Sequence, residues 1–278
     1  MSDWQKILIQ QALLEDAAAH DLTALATLPS GVSAAARISV KADGVLSGVT
    51  IADAVFAALD ASIQRTWFAA DGDAADCGDI VCELVGPVVA LLSAERTALN
   101  FLQHLSGIAT ATRAFADAVA GSGCLIADTR KTTPGFRHLE KQAVVHGGGV
   151  NHRMDLRSGM LIKENHIEAC GSIAEAVHAC RQAGHALWVE VECESLAEVR
   201  QAVDACPDMI LLDNMDPQLV YQARAMTPPS ILLEASGNIT LANACAYAET
   251  GVNRIAIGAI THSAPALDLS MRILSGVV

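Results

Sequence analysis

Short apolar runs alternate with segments of helical periodicity along the second half of the chain. Six such runs end in polar residues: CLIADTRK (124–131), MLIKENH (160–166), LWVEVECE (187–194), MILLDNM (209–215), ILLEASGN (231–238) and RIAIGAITHS (254–263). The last four start about 22 residues apart, with helical patterns between them. Repeated strand–helix units predict parallel strands joined by right-handed crossovers.

The helical patterns lie at residues 172–184, 195–206 and 240–251. In the second of them, apolar residues recur at the spacing of one buried helix face, namely Leu196, Val199, Val203 and Cys206. Polar residues end nearly every predicted strand, as they do at the carboxyl-terminal mouth of an α/β barrel. The pattern therefore favours a barrel over the alternative, an open doubly wound sheet.

The first 110 residues have a different organisation. Residues 35–48 and 78–86 read as strands with glycine turns, and residues 50–60 as a helix. A longer helix is predicted to begin at an N-cap, Ser93, and to include residues 94–105. This part of the chain is therefore expected to be α+β and separate from the barrel.

Two domains are predicted from this change of pattern. The N-terminal α+β domain covers residues 1–110, and the α/β barrel covers residues 111–278. The tail from about 266 to 278 is a candidate to pack on the N-terminal domain.

Composition places the chain among globular proteins. Hydrophobic residues make up 52% of it and aromatic residues 4%, so aliphatic side chains must fill the core. The net charge of −13 argues against general nucleic-acid binding. No apolar run approaches the roughly 20 residues of a membrane-spanning helix, and the first residues do not match a secretory signal. Eight cysteines without a Cys-x-x-Cys pair predict buried reduced thiols and a cytoplasmic location.

Carboxylates are concentrated in the run that starts at residue 187. Glu190, Glu192 and Glu194 alternate with apolar residues, so they share one face of the strand and are predicted to point into the barrel or toward its rim. The alternative is an edge strand with a solvated acidic face. Asp213 ends the next strand, where it could cap a helix or share a Mg²⁺ ion with Glu192.

Basic residues cluster between residues 128 and 163, where seven of them accompany only three acidic residues. Arg130, Lys131 and Lys163 follow strands, and Arg153 follows three consecutive glycines. Four cations at one barrel mouth predict a polyanionic ligand. The other basic residues of the cluster are predicted to be solvated: Arg137, Lys141 and Arg157.

Two weaker signals complete the inventory. Ser236, Gly237 and Gly258 lie after the late strands, where barrels often bind phosphate, although glycine turns are common there for steric reasons. Arg96 heads a polar stripe with Asn100 and Gln103, which periodicity alone assigns to a solvated helix face.

These residues lie in stretches that resemble the quinolinate phosphoribosyltransferase family, also called carboxylating nicotinate-nucleotide pyrophosphorylases. The matching stretches are SAERTALNFLQHLSGIAT (93–110), DTRKTTPGFRHLEKQAV (128–144), GGGVNHRMDL (147–156), LIKENHI (161–167), VEVE (189–192), LLDNM (211–215), LLEASGNI (232–239) and GVNRIAIGAITHSAPALDLS (251–270). The N-terminal part matches more loosely, through DLTA (21–24) and KADGVLSG (41–48).

The resemblance implies a pentosyltransferase, specifically a type II phosphoribosyltransferase. It would convert quinolinate and phosphoribosyl pyrophosphate to nicotinate mononucleotide, pyrophosphate and CO₂, with Mg²⁺, in NAD biosynthesis. It also implies an open N-terminal sandwich, an incomplete α/β barrel, and a homodimer or a higher oligomer whose active sites are completed by the neighbouring subunit.

The resemblance further assigns roles to individual residues. Quinolinate would bind to Arg130, His152, Arg153 and Lys163, with Arg96 supplied by the neighbouring subunit. The catalytic set would be Lys131, Lys163, Glu192 and Asp213, with Mg²⁺ on the two carboxylates. Substrate-binding positions would also include Thr129, Ser236, Gly237, Asn238, Ile257, Gly258, Ala259 and Ile260. His166 and His262 would lie near the pyrophosphate.

Two departures from the family pattern are present. Val145 and His146 precede the triple glycine, where many relatives carry a basic residue and a cysteine. His20 and Asp21 stand where relatives have Gly-Asp. Neither departure falls on a residue named above, although His146 could alter the charge near the loop.

Other functions remain open at this point. A nicotinate phosphoribosyltransferase or a molybdenum-transport-associated pyrophosphorylase-like protein would share the superfamily, but the NHRM and KENH stretches favour the quinolinate enzyme. A silent phosphate-ligand binding protein and a metal-dependent barrel aldolase are the alternatives from other classes.

Overall fold

The computed structural model describes residues 1–29 and 31–274, which form two compact units. The first unit contains residues 1–111 and the described residues from Ala264 onward, and the second contains residues 112–263. Of the predicted C-terminal tail, residues 275–278 lie outside the described residues.

The first unit contains a four-stranded antiparallel sheet in the order β12-β1-β5-β3. Its strands are β1 (Ser33–Val40), β3 (Gln64–Trp67), β5 (Ile80–Pro87) and β12 (Leu269–Ile273). A second, two-stranded ladder joins β2 (Gly44–Val45) and β4 (Ala74–Ala75). Strand β12 pairs with β1, so the last described strand belongs to the sheet built by the start of the chain.

Helices cover the rest of the first unit. They are α1 (Asp3–Glu15), a 3₁₀ turn (Ala18–His20), α2 (Leu22–Thr27), α3 (Val49–Leu59) and α4 (Val88–Ala118). Asp21 accepts a hydrogen bond from the Ala24 amide and thereby caps α2. Among the described residues, no helix is both long enough and apolar enough to cross a membrane.

The start of α4 differs from the sequence prediction. The helix begins at Val88, and Ser93 is a buried residue inside it rather than its N-cap. Strand β5 ends at Pro87 and leads directly into the helix. The Val88 amide donates to the Val32 carbonyl oxygen at 3.0 Å, so backbone of another segment rather than a polar side chain satisfies the first amide of the helix.

The second unit contains a six-stranded parallel sheet in the order β6-β11-β10-β9-β8-β7. The strands are β6 (Leu125–Ala127), β7 (Met160–Ile162), β8 (Val189–Cys193), β9 (Met209–Asp213), β10 (Leu232–Ser236) and β11 (Arg254–Ala256). Each of the six apolar runs identified in the sequence therefore contains a strand. The mixed α/β class is confirmed.

Helices alternate with these strands. They are α5 (Arg137–His146), α6 (Glu164–Cys170), α7 (Ile173–Gln182), α8 (Leu196–Ala205), α9 (Pro217–Met226), α10 (Ala244–Ala248) and α11 (Ala259–His262). Strand β8 lies between β7 and β9, so the edge-strand alternative for the glutamate run is wrong. The incomplete barrel remains a prediction with which the parallel order is consistent.

Two predictions about apolar positions need correction. In α8 the buried residues are Val199 and Ala202, whereas Cys206 is exposed. Cys206 adopts a left-handed backbone (φ 54°) that ends the helix and takes its side chain away from the buried face. All eight cysteines are free thiols, but only Cys82, Cys124 and Cys193 are buried, so the expectation of buried thiols holds for part of the set.

Close packing at Gly107 yields a prediction for the first unit. A Cβ atom at this position of α4 would lie 2.1 Å from the Pro265 carbonyl oxygen and 2.9 Å from Ala266 Cα. We expect Gly107→Ala to lower the free energy of unfolding by about 1–3 kcal/mol, because the backbone at Pro265 and Ala266 cannot easily move away from the added methyl group. Urea unfolding measures this change.

Ala114→Gly is the control for helix propensity, since Ala114 is exposed on the same helix, although it lies in the part of α4 that belongs to the second unit. It should cost about 1 kcal/mol from helix propensity alone. If Gly107→Ala instead stabilises the protein by a similar amount, the close approach does not constrain this position.

Candidate active site

A buried polar network fixes the backbone at the end of β6. Lys141 of α5 forms an ion pair with Asp128, and both side chains are fully buried. The Lys141 ammonium also donates to the His152 carbonyl oxygen at 3.0 Å. Asp128 accepts the His152 amide at 2.9 Å and the Asn151 side-chain amide at 2.6 Å. The network therefore holds residues 151–153 beside the end of β6.

The electrostatics of this pair follow from its burial. Burial raises the pKa of Asp128 and lowers that of Lys141, and the charge of each partner opposes the shift of the other. The prediction of a solvated Lys141 is wrong, because α5 directs this side chain inward to the only kind of group that can balance its charge there, a carboxylate.

His152 is held as a neutral imidazole. Its Nδ1 accepts the Arg153 backbone N–H at 2.7 Å, so the ring proton must lie on Nε2. Nε2 then donates to Glu190 Oε2 at 2.9 Å. Burial is the main cause that lowers the pKa of His152. The ring also contacts Trp188 edge-on, with centroids 5.3 Å apart.

Two buried glutamates, Glu190 and Glu234, lie close to His152, and the sequence pattern predicted a role for neither. Glu234 Oε1 lies 3.4 Å from His152 Nε2, and Arg254 Nε lies 2.8 Å from Glu234 Oε2. Burial raises the pKa of Glu190 and of Glu234 to about 7. The signal in the sequence was a glutamate within the apolar run 231–238.

The meeting of Glu190 and Glu234 bears on the shape of the sheet. These residues lie on β8 and β10, which are separated by β9. Strands two apart in a flat sheet are roughly 10 Å from each other. Since both carboxylates approach one imidazole nitrogen, their side chains converge, as expected on the concave face of a curved sheet.

The same three residues have the composition of a metal site, but their protonation opposes it. Ligand atoms of His152, Glu190 and Glu234 lie within 4.8 Å of one another. A metal would require the lone pair of His152 Nε2, and the Arg153 amide on Nδ1 places a proton there. The Arg254 guanidinium already balances Glu234. The three residues are therefore better suited to fixing one another and Arg254 by hydrogen bonds and ion pairs than to binding a cation.

A pocket of about 410 Å³ opens above this cluster. It brings together nine residues from the predicted site: Thr129, Arg130, Lys131, His152, Arg153, Lys163, Glu192, Asp213 and Ser236. Four lining residues were not predicted: Leu161, Leu211, Glu234 and Ala256. The four cations and two carboxylates selected from the sequence therefore share one cavity.

Two arginines make one side of the pocket strongly cationic. Arg130 Nε is buried and has no hydrogen-bond partner among residues 1–29 and 31–274. Arg153 donates to the Gly159 carbonyl oxygen at 3.1 Å. Burial, and next the charge of Arg130, lower the pKa of Arg153. Two neighbouring guanidinium groups, one with an unpaired buried N–H, suit an anionic ligand.

Arg137 and Arg157 have different environments. Arg137 is half-buried and donates to Thr132 Oγ1 at 2.9 Å and to the Arg130 carbonyl oxygen at 3.4 Å, so the prediction that it is solvated is wrong. These bonds brace the loop that follows β6. Arg157 is exposed and pairs with Asp155, as predicted for a solvated residue.

Two carboxylates predicted from the sequence line the same pocket as the arginines. Glu192 Oε2 forms an ion pair with Lys163, and Asp213 Oδ2 accepts the Asn214 side-chain amide at 2.8 Å. Each carboxylate has a second oxygen, and carboxylate oxygens are the ligands that Mg²⁺ prefers. The donor set therefore fits Mg²⁺. The helix-cap alternative for Asp213 is wrong, because Asp216 caps α9 by accepting the Leu219 amide.

Several predicted residues are not among those that line the pocket: His166, Gly237, Asn238, Ile257, Gly258, Ala259, Ile260 and His262. A Cβ at Gly258 would lie 3.0 Å from Lys131 Cδ and 3.3 Å from His262 Nε2, so these three residues are adjacent. Thr261 donates to the Lys131 carbonyl oxygen at 2.7 Å. His166 Nδ1 accepts the Lys163 amide at 3.0 Å.

Arg96 belongs to the first unit. It is exposed on α4, as is Asn100. Gln103, the third member of the predicted polar stripe, is half-buried and donates to the Leu269 carbonyl oxygen at 2.8 Å. The first two residues of the stripe are thus exposed to solvent, whereas the third is hydrogen-bonded to the backbone of β12.

The buried ion pair gives a prediction for the second unit. Lys141→Met should lower the free energy of unfolding by about 3–5 kcal/mol, because it leaves Asp128 buried without its cation. Arg157→Met is the matched control and should leave the unfolding midpoint nearly unchanged, because its pair with Asp155 is exposed and screened by water. Similar unfolding midpoints in urea for both variants would contradict this account.

Comparison with known proteins agrees with this geometry. The family models "Quinolinate phosphoribosyl transferase, N-terminal domain" and "C-terminal domain" match residues 21–106 and 108–272. The chain is 45% identical to a probable nicotinate-nucleotide pyrophosphorylase [carboxylating] of Bacillus subtilis over 267 residues, which cover 96% of this chain and 92% of the relative. It is 40% identical to the human enzyme of the same name, with coverages of 96% and 91%.

Solved structures show the same similarity. The nicotinate-nucleotide pyrophosphorylase of Francisella tularensis superposes with a TM-score of 0.94 at 39% identity, covering 98% of this chain and 96% of that one. NadC from Streptococcus pyogenes gives 0.94 at 38% identity, with coverages of 100% and 98%. Human nicotinic acid phosphoribosyltransferase, at 13% identity and a TM-score of 0.66, shares the fold alone. The chain belongs to the quinolinate phosphoribosyltransferase family.

Proposed function

We propose that this protein transfers the phosphoribosyl group of phosphoribosyl pyrophosphate to quinolinate, with loss of CO₂, to give nicotinate mononucleotide and pyrophosphate in NAD biosynthesis. The observation that carries the proposal is the pocket itself. It combines two neighbouring arginines, two lysines and two carboxylates in a member of this family. That inventory matches a dicarboxylate and a polyphosphate bound side by side.

Quinolinate would bind on the arginine side. Arg130 and Arg153 offer planar N–H groups to its two carboxylates, and the unpaired Nε of Arg130 supports this assignment. His152 is neutral and both of its ring nitrogens are engaged, so in this state it supports Arg153 and Glu190 rather than supplying a charge. Lys163, bonded to Glu192, lies where it can contact either substrate.

Phosphoribosyl pyrophosphate would bind toward Lys131, Lys163 and the carboxylates. Glu192 and Asp213 would hold Mg²⁺, which offsets the charge of the pyrophosphate when it is bound. Lys131 is adjacent to Gly258 and His262, so its ammonium can reach a phosphate held by the loop after β11. The loops at 236–238 and 257–260 would bind the 5′-phosphate, with Thr129, His166 and His262 near the pyrophosphate.

The order of bond changes follows from the charges. As pyrophosphate departs, positive charge develops on ribose C1, which Glu192 stabilises electrostatically. The quinolinate ring nitrogen then attacks C1. The resulting pyridinium accepts the electron pair left when the adjacent carboxylate departs as CO₂, and a proton replaces that carboxylate.

The activity assay separates this function from its superfamily alternative. Incubation with quinolinate, phosphoribosyl pyrophosphate and Mg²⁺ should yield nicotinate mononucleotide and CO₂ in equal amounts. Nicotinate in place of quinolinate should give little product. Absence of product with quinolinate, or equal use of nicotinate without CO₂ release, would overturn the proposal.

We further propose a homodimer in which Arg96 of one subunit completes the quinolinate site of the other. The family resemblance and the exposure of Arg96 support this assembly. A cytoplasmic location is proposed as well, and the eight free thiols are consistent with a reducing compartment.

Hybrid dimers test the shared site. Arg96→Ala and Lys163→Ala should each reduce activity strongly, because each removes a cation from the substrate site. Mixed and allowed to exchange subunits, the two variants should recover up to about a quarter of wild-type activity, because half of the dimers are hybrids with one intact site each. No recovery, with subunit exchange demonstrated by two affinity tags, would exclude a shared site.

A further inference from the structure

Two asparagines at neighbouring strand ends adopt left-handed backbone conformations. Asn214 follows β9 with φ 54°, and Asn238 follows β10 with φ 53°. Such conformations are uncommon for residues with a side chain, and they concentrate at functional sites. Only four non-glycine residues in the described part of the chain have a positive φ, and these two lie beside the same pocket.

The side chains of these asparagines form a continuous hydrogen-bonded chain to Asp213. Asn238 Nδ2 donates to Asn214 Oδ1 at 3.1 Å, and Asn214 Nδ2 donates to Asp213 Oδ2 at 2.8 Å. The Asn214 backbone amide also donates to the Ser236 carbonyl oxygen at 2.8 Å. Because the ionised Asp213 carboxylate can only accept hydrogen bonds, it faces the amide nitrogen of Asn214, which leaves the amide oxygen of Asn214 to accept from Asn238.

Gly237 leaves the space for this arrangement. Its φ is +97°, and a Cβ there would lie 2.2 Å from Asn214 Oδ1 and 2.6 Å from Asn214 Cγ. The Asn214 side chain thus lies directly against the backbone of the loop at 236–238. Asn238, at the other end of this series of hydrogen bonds, is also held in place, because the Asn243 side chain donates to its carbonyl oxygen at 3.3 Å.

We propose that Asn214 is a positioning residue that couples the loop at 236–238 to the carboxylate of Asp213. It holds one carboxylate oxygen of Asp213 and so directs the other toward a divalent cation. Its own orientation is set by Asn238 and by the backbone of the loop. The inference rests on the proposed function, which places the cation at Asp213 and a phosphate at this loop.

A thermodynamic consequence follows from the coupling. A phosphate that orders the loop also fixes Asn214, and therefore fixes Asp213 for the cation. By linkage, the cation must strengthen phosphate binding by the same factor. Coupling between binding sites typically amounts to a factor of about 5–150.

Binding measurements without turnover test the coupling. Mn²⁺ is used as the cation, because free Mn²⁺ is measured directly by electron paramagnetic resonance, and ribose 5-phosphate is used for the loop. In the wild-type protein, ribose 5-phosphate should strengthen Mn²⁺ binding at least about 5-fold. The coupling ratio is the Mn²⁺ dissociation constant without ribose 5-phosphate divided by that with it. In Asn214→Gly, which tolerates the left-handed backbone but lacks the side-chain amide, this ratio should fall to about 1.

Cys206→Gly is the matched control. It also places glycine at a left-handed position (φ 54°), at the end of α8, so it tests the backbone effect alone. This variant should keep the wild-type ratio. If Asn214→Gly does not fold, Asn214→Ala replaces it, since Ala17 shows that alanine adopts this conformation in the same chain (φ 49°).

Each outcome decides the proposal. A wild-type ratio near 1, or an unchanged ratio in the Asn214 variants, would overturn it. Loss of coupling in Cys206→Gly as well would assign the effect to general loosening of the fold and would also overturn it. Because no step requires turnover, a negative quinolinate assay would count against the proposed function without affecting this result.

Discussion

The buried ion pair between Asp128 and Lys141 is the interaction on which the arginine side of the pocket depends. It lies out of water, where each charge would be costly without the other. Asp128 also accepts the amides of Asn151 and His152, so the pair ties helix α5, the end of β6 and the loop at 151–153 into one network. Arg130 lies in the loop after β6 and Arg153 in the loop at 151–153, which are the two segments that this network joins.

The pocket above the network holds charges of both signs. Arg130 and Arg153 line it together with Glu192 and Asp213, and Lys163 forms an ion pair with Glu192. His152, which is neutral, also lines the pocket and contributes hydrogen bonds rather than charge. A reaction that joins two anions and passes through a cationic ring and a cationic ribose needs both signs fixed in advance, which a folded polar site provides without reorganisation.

The strand-end residues could be predicted because their signal is local. A polar residue after a buried parallel strand must lie at the carboxyl edge of the sheet, so Arg130, Lys163 and Asp213 were assignable without a structure. The buried partners had no such signal. Lys141 lies in a helix whose sequence pattern gives no reason to expect a lysine inside the protein, and Glu234 is one glutamate within an apolar strand.

The order of apolar runs and polar strand ends thus determined the α/β class, the parallel strands and the strand-end residues of the pocket, because the carboxyl ends of parallel strands lie at one edge of the sheet. Protonation and pairing were decided only in three dimensions. The imidazole of His152 is neutral because the Arg153 amide donates to Nδ1, Lys141 is buried because it pairs with Asp128, and the amide oxygen of Asn214 is held by Asn238. The pattern of the chain predicts none of these contacts, because each depends on the exact local backbone or on the packing of separate segments.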